Sequence, residues 1–84
     1  MSNIEKVDRA QIRAARALLY WTQPDLASAA QVALATLKRF EIGHQTPIRV
    51  VKSAIVRALE DAGIEFLDDG KKIGVCVSPK KLPK

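Results

Sequence analysis

The side chains best suited to covalent or metal chemistry are scarce in this sequence. Its 84 residues include one cysteine, Cys76, and one histidine, His44. A lone cysteine excludes a disulfide within the chain, and one thiolate with one imidazole falls short of a structural zinc site. No nucleophile with a matching base can be named among the other residues. We therefore expect no enzyme activity, no bound metal and no cofactor.

Basic side chains are the remaining candidates for chemistry. Lys and Arg number 14 against 9 Asp and Glu, which gives a net charge of +5. This excess favours a polyanionic partner. Between residues 22 and 43, however, Lys38 and Arg39 are balanced by Asp25 and Glu41. The positive charge must therefore come from the flanks, namely Arg9, Arg13, Arg49, Lys52 and the basic C-terminal tail.

The first helix is predicted over residues 9–20, where apolar residues recur on one helical face. Asp8 is the expected N-cap, with Gln11 three residues later as its capping-box partner. Val7 and Ile12 occupy the two positions of a hydrophobic staple. These signals together define where the helix begins.

Two short helices are predicted next, joined by a tight turn. Thr22 is the expected N-cap of the second helix, and Asp25 is placed to complete a capping box. The third helix begins near Ala33 and ends before Gly43, a residue suited to a left-handed C-terminal position. Only about three residues, 30–32, remain between them, which is typical of a helix-turn-helix unit.

The C-terminal third is predicted to hold a fourth helix and a β-hairpin. Thr46-Pro47 is the expected start of the helix, and Gly63 is expected to end it. Residues 64–67 and 73–77 alternate in hydropathy around an Asp-Asp-Gly-Lys turn. The basic tail at 79–84 has little reason to be ordered. The hairpin has an apolar face that either packs onto the fourth helix or pairs with a second subunit; its members are Ile64, Phe66, Ile73, Val75 and Val77.

A Gln-x-x-Leu-Ala motif at residues 23–27 is followed by Leu-x-x-Phe-Glu-x-Gly at 37–43. The full set of motif residues is Arg16-Ala17-Leu18-Leu19, Trp21-Thr22-Gln23-Pro24-Asp25-Leu26-Ala27, Thr36-Leu37-Lys38-Arg39-Phe40-Glu41, Gly43 and Pro47. Over roughly residues 9–63 this pattern resembles the Xre/Cro-type helix-turn-helix family of bacterial and phage transcriptional repressors. The resemblance implies a mainly α, lambda-repressor-like helix-turn-helix domain of four helices, here with a C-terminal β-hairpin extension.

The resemblance also implies a function and a domain plan. We expect a sequence-specific regulator of transcription, a repressor, that inserts helix 33–41 into the major groove of double-stranded DNA. We expect it to be cytoplasmic and homodimeric, and to have no membrane partner. The expected divisions are a flexible N-terminus at 1–7, the DNA-binding domain at 8–63, the hairpin extension at 64–78 and the basic tail at 79–84.

The resemblance, helical periodicity and the positions of basic side chains together predict several DNA-contacting residues. They are Gln23, Ala33, Leu34, Ala35, Lys38, Arg39, His44, Gln45, Arg49 and Lys52. The resemblance implies that Gln23 binds a phosphate; the alternative is a polar residue facing solvent. Arg39 is expected to read guanine, or else to hold a phosphate or lie in solvent. Leu34 either meets a thymine methyl group with Ala35 or packs against the second helix or a dimer partner.

The resemblance implies a structural role for Arg16, which aligns with an internal arginine that pairs with the glutamate found here as Glu41. Two features depart from the family pattern. Gln31 stands where the turn carries Gly, so we expect it to adopt a left-handed conformation. Ala33 stands where Ser or Thr caps the third helix. These departures keep a second hypothesis open, a protein-interaction module such as an antitoxin that masks a toxin, or an adaptor.

Overall fold

The computed structural model describes residues 6–43 and 49–81 of the chain. They form four α-helices followed by an antiparallel hairpin and a final 3-10 turn. The elements are α1 (Arg9–Leu19), α2 (Gln23–Ala30), α3 (Leu34–Glu41), α4 (Arg49–Asp61), β1 (Ile64–Asp68), β2 (Ile73–Val77) and the turn Pro79–Lys81. The predicted mainly helical chain with a C-terminal hairpin is confirmed. The predicted start of α4 at Thr46-Pro47 lies outside the described residues.

Both predicted capping boxes are present. At α1, the backbone N–H of Asp8 donates to Oε1 of Gln11 over 2.9 Å. At α2, the backbone N–H of Thr22 donates to Oδ2 of Asp25 over 2.9 Å, and the N–H of Asp25 donates back to Oγ1 of Thr22 over 3.2 Å. The α2 pair thus satisfies two backbone donors, and the Gln11 side chain satisfies one at the start of α1.

Left-handed residues end the first three helices. Tyr20 ends α1 at φ 57°, a feature that the sequence pattern did not reveal, and Gln31 ends α2 at φ 58° as predicted. Gly43 follows α3 at φ 79°, also as predicted. A non-glycine residue in this region costs free energy because its Cβ crowds the following carbonyl. Ala33 precedes α3 in an extended conformation and offers no side-chain cap, as expected.

One hydrophobic core joins all four helices to the first strand. Its members include apolar side chains from every helix, and the largest fully buried ones are Ile12, Leu26, Leu37, Ile55 and Leu59. Val7 is also buried, at 4% exposure, although the sequence assigned it to a flexible N-terminus. Its burial next to the start of α1 agrees with the staple predicted for Val7 and Ile12.

The hairpin lies against the helices through one face. Ile64 pairs with Val77 and Phe66 with Val75, and these four side chains pack against the core. Of the apolar face named from the sequence, Ile73 alone is largely exposed, at 57%. Packing within the chain therefore accounts for most of that face.

The beginning of the tail is ordered, contrary to expectation. Residues 79–81 form a 3-10 turn in which the N–H of Lys81 donates to the carbonyl of Ser78 over 2.8 Å. The side chain of Lys81 lies so close to Gly63 that a Cβ there would come within 2.8 Å of Cγ of Lys81. Its aliphatic stem thus covers the end of α4, as long basic side chains often do.

Candidate nucleic-acid interface

The buried carboxylate of Glu41 is the centre of the polar junction between α1, α2 and α3. The side chain of Glu41 is 1% exposed, and that of Arg16 is 19% exposed. Nε of Arg16 donates to Oε2 of Glu41, and Nη2 donates to Oε1, each over 2.8 Å. Nη1 of Arg16 donates to the carbonyl of Trp21 over 3.1 Å. The salt bridge that the resemblance implied is present as a bidentate Arg–carboxylate pair.

Gln23 belongs to the same junction. Its Nε2 donates to Oε1 of Glu41 over 3.0 Å, and the residue is half-buried. The Gln23 side chain therefore has a partner within the chain in addition to the solvent that its exposed part contacts. Within residues 6–43 and 49–81 this is the one hydrogen bond of the Gln23 side chain, so the carboxamide oxygen keeps its acceptor capacity.

The two faces of α3 have different roles. Leu37, Phe40 and Glu41 are buried and hold the helix against its neighbours. The opposite side is an outward stripe at positions i, i+3, i+4 and i+7, which places its members on one helical face. This outward stripe consists of Ala35, Lys38, Arg39 and Ile42, all exposed.

Two predicted positions at the start of α3 differ from each other. Ala33 is exposed, as predicted. Leu34 is half-buried and packs against the core, which is closer to its packing alternative than to full exposure on the DNA-facing side. The reason is that the Leu34 position shares a face with Leu37 and Glu41, three and seven residues on.

The flanking basic residues fall into two groups. Arg49 is exposed and Lys52 half-buried, and both lie in the first turn of α4. His44 and Gln45 lie outside the described residues. Arg9 and Arg13, which the sequence suggested only as sources of charge, line an open pocket with Arg16, Gln23, Glu41 and Ile42.

Sequence reasoning missed two features of this surface. The first is the grouping of Arg9, Arg13 and Arg16, whose spacing of four and three residues already places them on one face of α1. The second is Ile42, which is 64% exposed although it was assigned only to the end of the helix. Its separation of seven residues from Ala35 was the signal that could have identified it.

Other site types find no support in the described ranges. Residues 6–43 and 49–81 contain no cluster of three or more His, Cys, Asp or Glu side chains that could hold a metal ion. Within the same ranges, every helix is too short or too polar to cross a lipid bilayer. The sequence matches no protein-family model and no curated protein.

Proposed function

We propose that this chain is a sequence-specific regulator of transcription, acting as a repressor that binds double-stranded DNA through α3. In this proposal it is a cytoplasmic member of the Xre/Cro-type helix-turn-helix family with a lambda-repressor-like domain. The observation that carries the proposal is the exposure of Lys38 and Arg39 on a helix whose opposite side is fixed in the core.

The shape of the α2–α3 unit supports insertion into the major groove. That groove is about 12 Å wide and admits one α-helix. Three residues, 31–33, separate α2 from α3, so α3 is braced at its start. Arg39 has a planar fork that fits O6 and N7 of guanine, and Ala35 can contact a thymine methyl group. Only the part of the Leu34 side chain that the core leaves exposed would be able to contact a base.

The Glu41 junction supports precise placement of that helix. Arg16 joins α1 to α3 through Glu41, and Gln23 joins α2 to the same carboxylate. Contacts to phosphate fix the register of a protein on duplex DNA, while base contacts give specificity. In this proposal Gln23, at the start of α2, donates the second N–H of its carboxamide group to a phosphate oxygen. Arg49 and Lys52 would add phosphate contacts from the start of α4.

A homodimer would let the protein read two half-sites about 34 Å apart. The hairpin supports this part of the proposal because each strand of the two-stranded sheet has one unpaired edge. Leu67 is 46% exposed and Ile73 57% exposed at the turn end of the hairpin. Sedimentation at tens of micromolar should give the mass of a dimer. A monomer mass would contradict the proposal that the hairpin contributes to a homodimer.

The decisive experiment is selection of bound fragments from a library of random duplexes, followed by affinity measurements on the enriched sequence. Arg39→Ala should relax selection at one base pair and lose about 1–3 kcal/mol of discrimination there. Arg57→Ala, which removes the same charge from an exposed position on α4, should leave the selected sequence unchanged. Failure of the wild-type protein to enrich any sequence would contradict the proposal.

The second candidate function is a protein-interaction module, an adaptor or an antitoxin that binds a toxin. The exposure of Ile42 and the balanced charge of residues 22–43 favour it. The two functions differ in their dependence on salt. Binding to duplex DNA should weaken as salt rises, with a log–log slope of about −0.9 for each phosphate contacted. The absence of salt-sensitive binding to any duplex would favour the interaction module.

A further inference from the structure

Three arginines of α1 form a row that faces the end of α3. Arg9, Arg13 and Arg16 are separated by four and three residues, so their side chains project from one face of the helix. The row lines an open pocket that is completed by Gln23, Glu41 and Ile42. The pocket therefore joins the start of α2 to the end of α3.

The three guanidinium groups differ in how many of their donors are already used. Each guanidinium has five N–H donors. Arg16 makes three hydrogen bonds, two to the carboxylate of Glu41 and one to the carbonyl of Trp21. Arg13 makes one hydrogen bond, from Nη1 to the backbone carbonyl of Glu41. In the part of the chain that the structure describes, the Arg9 guanidinium makes no hydrogen bond or ion pair.

The guanidinium of Arg9 lies close to Gly43. A Cβ added to Gly43 would lie 3.0 Å from Cζ of Arg9 and 3.1 Å from Nε, which is tighter than ordinary van der Waals contact. The missing side chain at Gly43 thus lets the guanidinium lie directly against the backbone that follows α3. The Arg9 guanidinium therefore lies near this backbone, and none of its donors is used by another residue of ranges 6–43 and 49–81.

The charge in the pocket is unbalanced. Among the described residues that line the pocket, three guanidinium groups face one carboxylate, that of Glu41, which is turned inward at 1% exposure to pair with Arg16. Two positive charges therefore remain, those of Arg9 and Arg13, and both residues are exposed. A compact oxyanion with several acceptor oxygens is the ligand that such paired forks fit best.

We propose that Arg9, with Arg13 beside it, holds one backbone phosphate of the bound duplex. This inference rests on the proposed DNA-binding function and adds a contact from α1 to it. Two residues that line the pocket support a phosphate at this place. Gln23, the residue expected to contact phosphate, lines the same pocket, and Ile42, the last residue of the outward stripe of α3, lines it too. A duplex seated along that stripe would bring its backbone over the arginine row.

The test measures binding of a random-sequence duplex across a salt series, using the wild-type chain, Arg9→Ala and Arg57→Ala. Loss of one phosphate contact should make the log–log slope for Arg9→Ala shallower by about 0.9. The Arg57→Ala slope should equal that of the wild type, because Arg57 lies on α4 and does not line the pocket. Arg9→Lys keeps the charge and should keep the wild-type slope while it binds more weakly, since a single ammonium cannot replace the fork.

The outcomes separate this inference from the function on which it rests. Equal slopes for Arg9→Ala and Arg57→Ala, with salt-sensitive binding by the wild type, would overturn the phosphate contact and leave the regulator proposal intact. No binding of any duplex by the wild-type chain would overturn both. Thermal melts of Arg9→Ala should match the wild type, because no hydrogen bond within the described residues is removed, and a shallower slope is then a binding effect.

Discussion

Two buried polar side chains, Gln11 and Glu41, join different parts of this small fold and are used in different ways. Gln11 is 4% exposed and Glu41 2% exposed, and they are the buried polar or charged residues of ranges 6–43 and 49–81. Gln11 accepts from the backbone of Asp8 over 2.9 Å. Its Nε2 donates to the carbonyls of Gly74 over 2.9 Å and Leu67 over 3.2 Å, which belong to paired residues of the hairpin.

The contacts of Gln11 with Asp8 and the hairpin, here the Gln11 junction, are neutral and use all of its polar groups. The contacts of Glu41 with Arg16 and Gln23, here the Glu41 junction, are charged and border an open pocket. Each donor and the acceptor oxygen of Gln11 already has a partner within the chain, so the side chain has little left to offer a ligand. Glu41 is also fully paired, but the arginines around it exceed it in charge and face an open pocket. The comparison indicates that the first junction attaches the hairpin to α1, while the second both fixes the helices and leaves charge for a partner.

The largest expected effect comes from breaking the charged junction. Glu41→Ala leaves the Arg16 fork and the Gln23 amide without their shared acceptor, and Arg16→Ala leaves a buried carboxylate unpaired. Either change should lower the free energy of unfolding by about 3–5 kcal/mol, measured by urea denaturation. Glu41→Gln keeps the shape and one acceptor oxygen and should remain closer to the wild type. Midpoints for both alanine variants that match the wild type would show that the pair does not hold the helices together.

Breaking the neutral junction should cost less and act more locally. Gln11→Ala removes the partner of two hairpin carbonyls and of the N–H of Asp8. These groups are only partly buried and can bind water instead, so we expect the free energy of unfolding to fall by about 1–3 kcal/mol in total. Hydrogen exchange should quicken first in β1 and β2, because they lose their polar attachment to α1. Cys76→Ser, on an exposed position of β2, is the matched control and should leave exchange unchanged. Uniform acceleration across all four helices would contradict the assignment of the Gln11 amide donors to the hairpin.

The two junctions were not equally visible in the sequence. Arg16 and Glu41 were found through a motif with fixed spacing, and the capping boxes and left-handed Gln31 and Gly43 followed from local chemistry. The capping boxes and left-handed residues depend on neighbours within a few residues, so the order of helices and strands could be predicted well. The Arg16–Glu41 pair spans 25 residues and could be predicted only through the resemblance.

The contacts of Gln11 with Leu67 and Gly74 span 56 and 63 residues, and nothing local marks them. Its capping role at Asp8 was predictable, but the use of its amide group was not. The row formed by Arg9, Arg13 and Arg16 could be predicted in part. Helical spacing predicts a shared face for Arg9, Arg13 and Arg16, but only packing of α1 on α3 brings that face to Gln23 and Ile42. The two alternatives for Leu34 could not be separated from the sequence, because its exposure depends on how α3 is rotated against the core.

The smallest expected effect lies in the hairpin turn, beyond the Gln11 junction. Backbone N–H groups of Lys72 and Lys71 donate to Oδ1 of Asp69 over 2.7 and 2.8 Å, and they lower the pKa of this carboxyl below its ordinary value of 3.8. Because the folded pKa is the lower one, the ionised carboxylate stabilises the fold above the ordinary pKa, and this contribution is lost as pH falls through the lowered value.

Asp69→Ala should therefore be slightly less stable than the wild type at neutral pH, and the difference should vanish in strong acid. Asp69 is fully exposed, so solvent screens the interaction and the effect should be small. Asp69→Asn keeps an acceptor oxygen without a titratable proton, so it separates loss of the hydrogen bonds from loss of the charge. Urea denaturation across the acidic range provides the measurement. A difference that does not change with pH would mean that the hairpin turn, like Gln11, is held by neutral contacts alone.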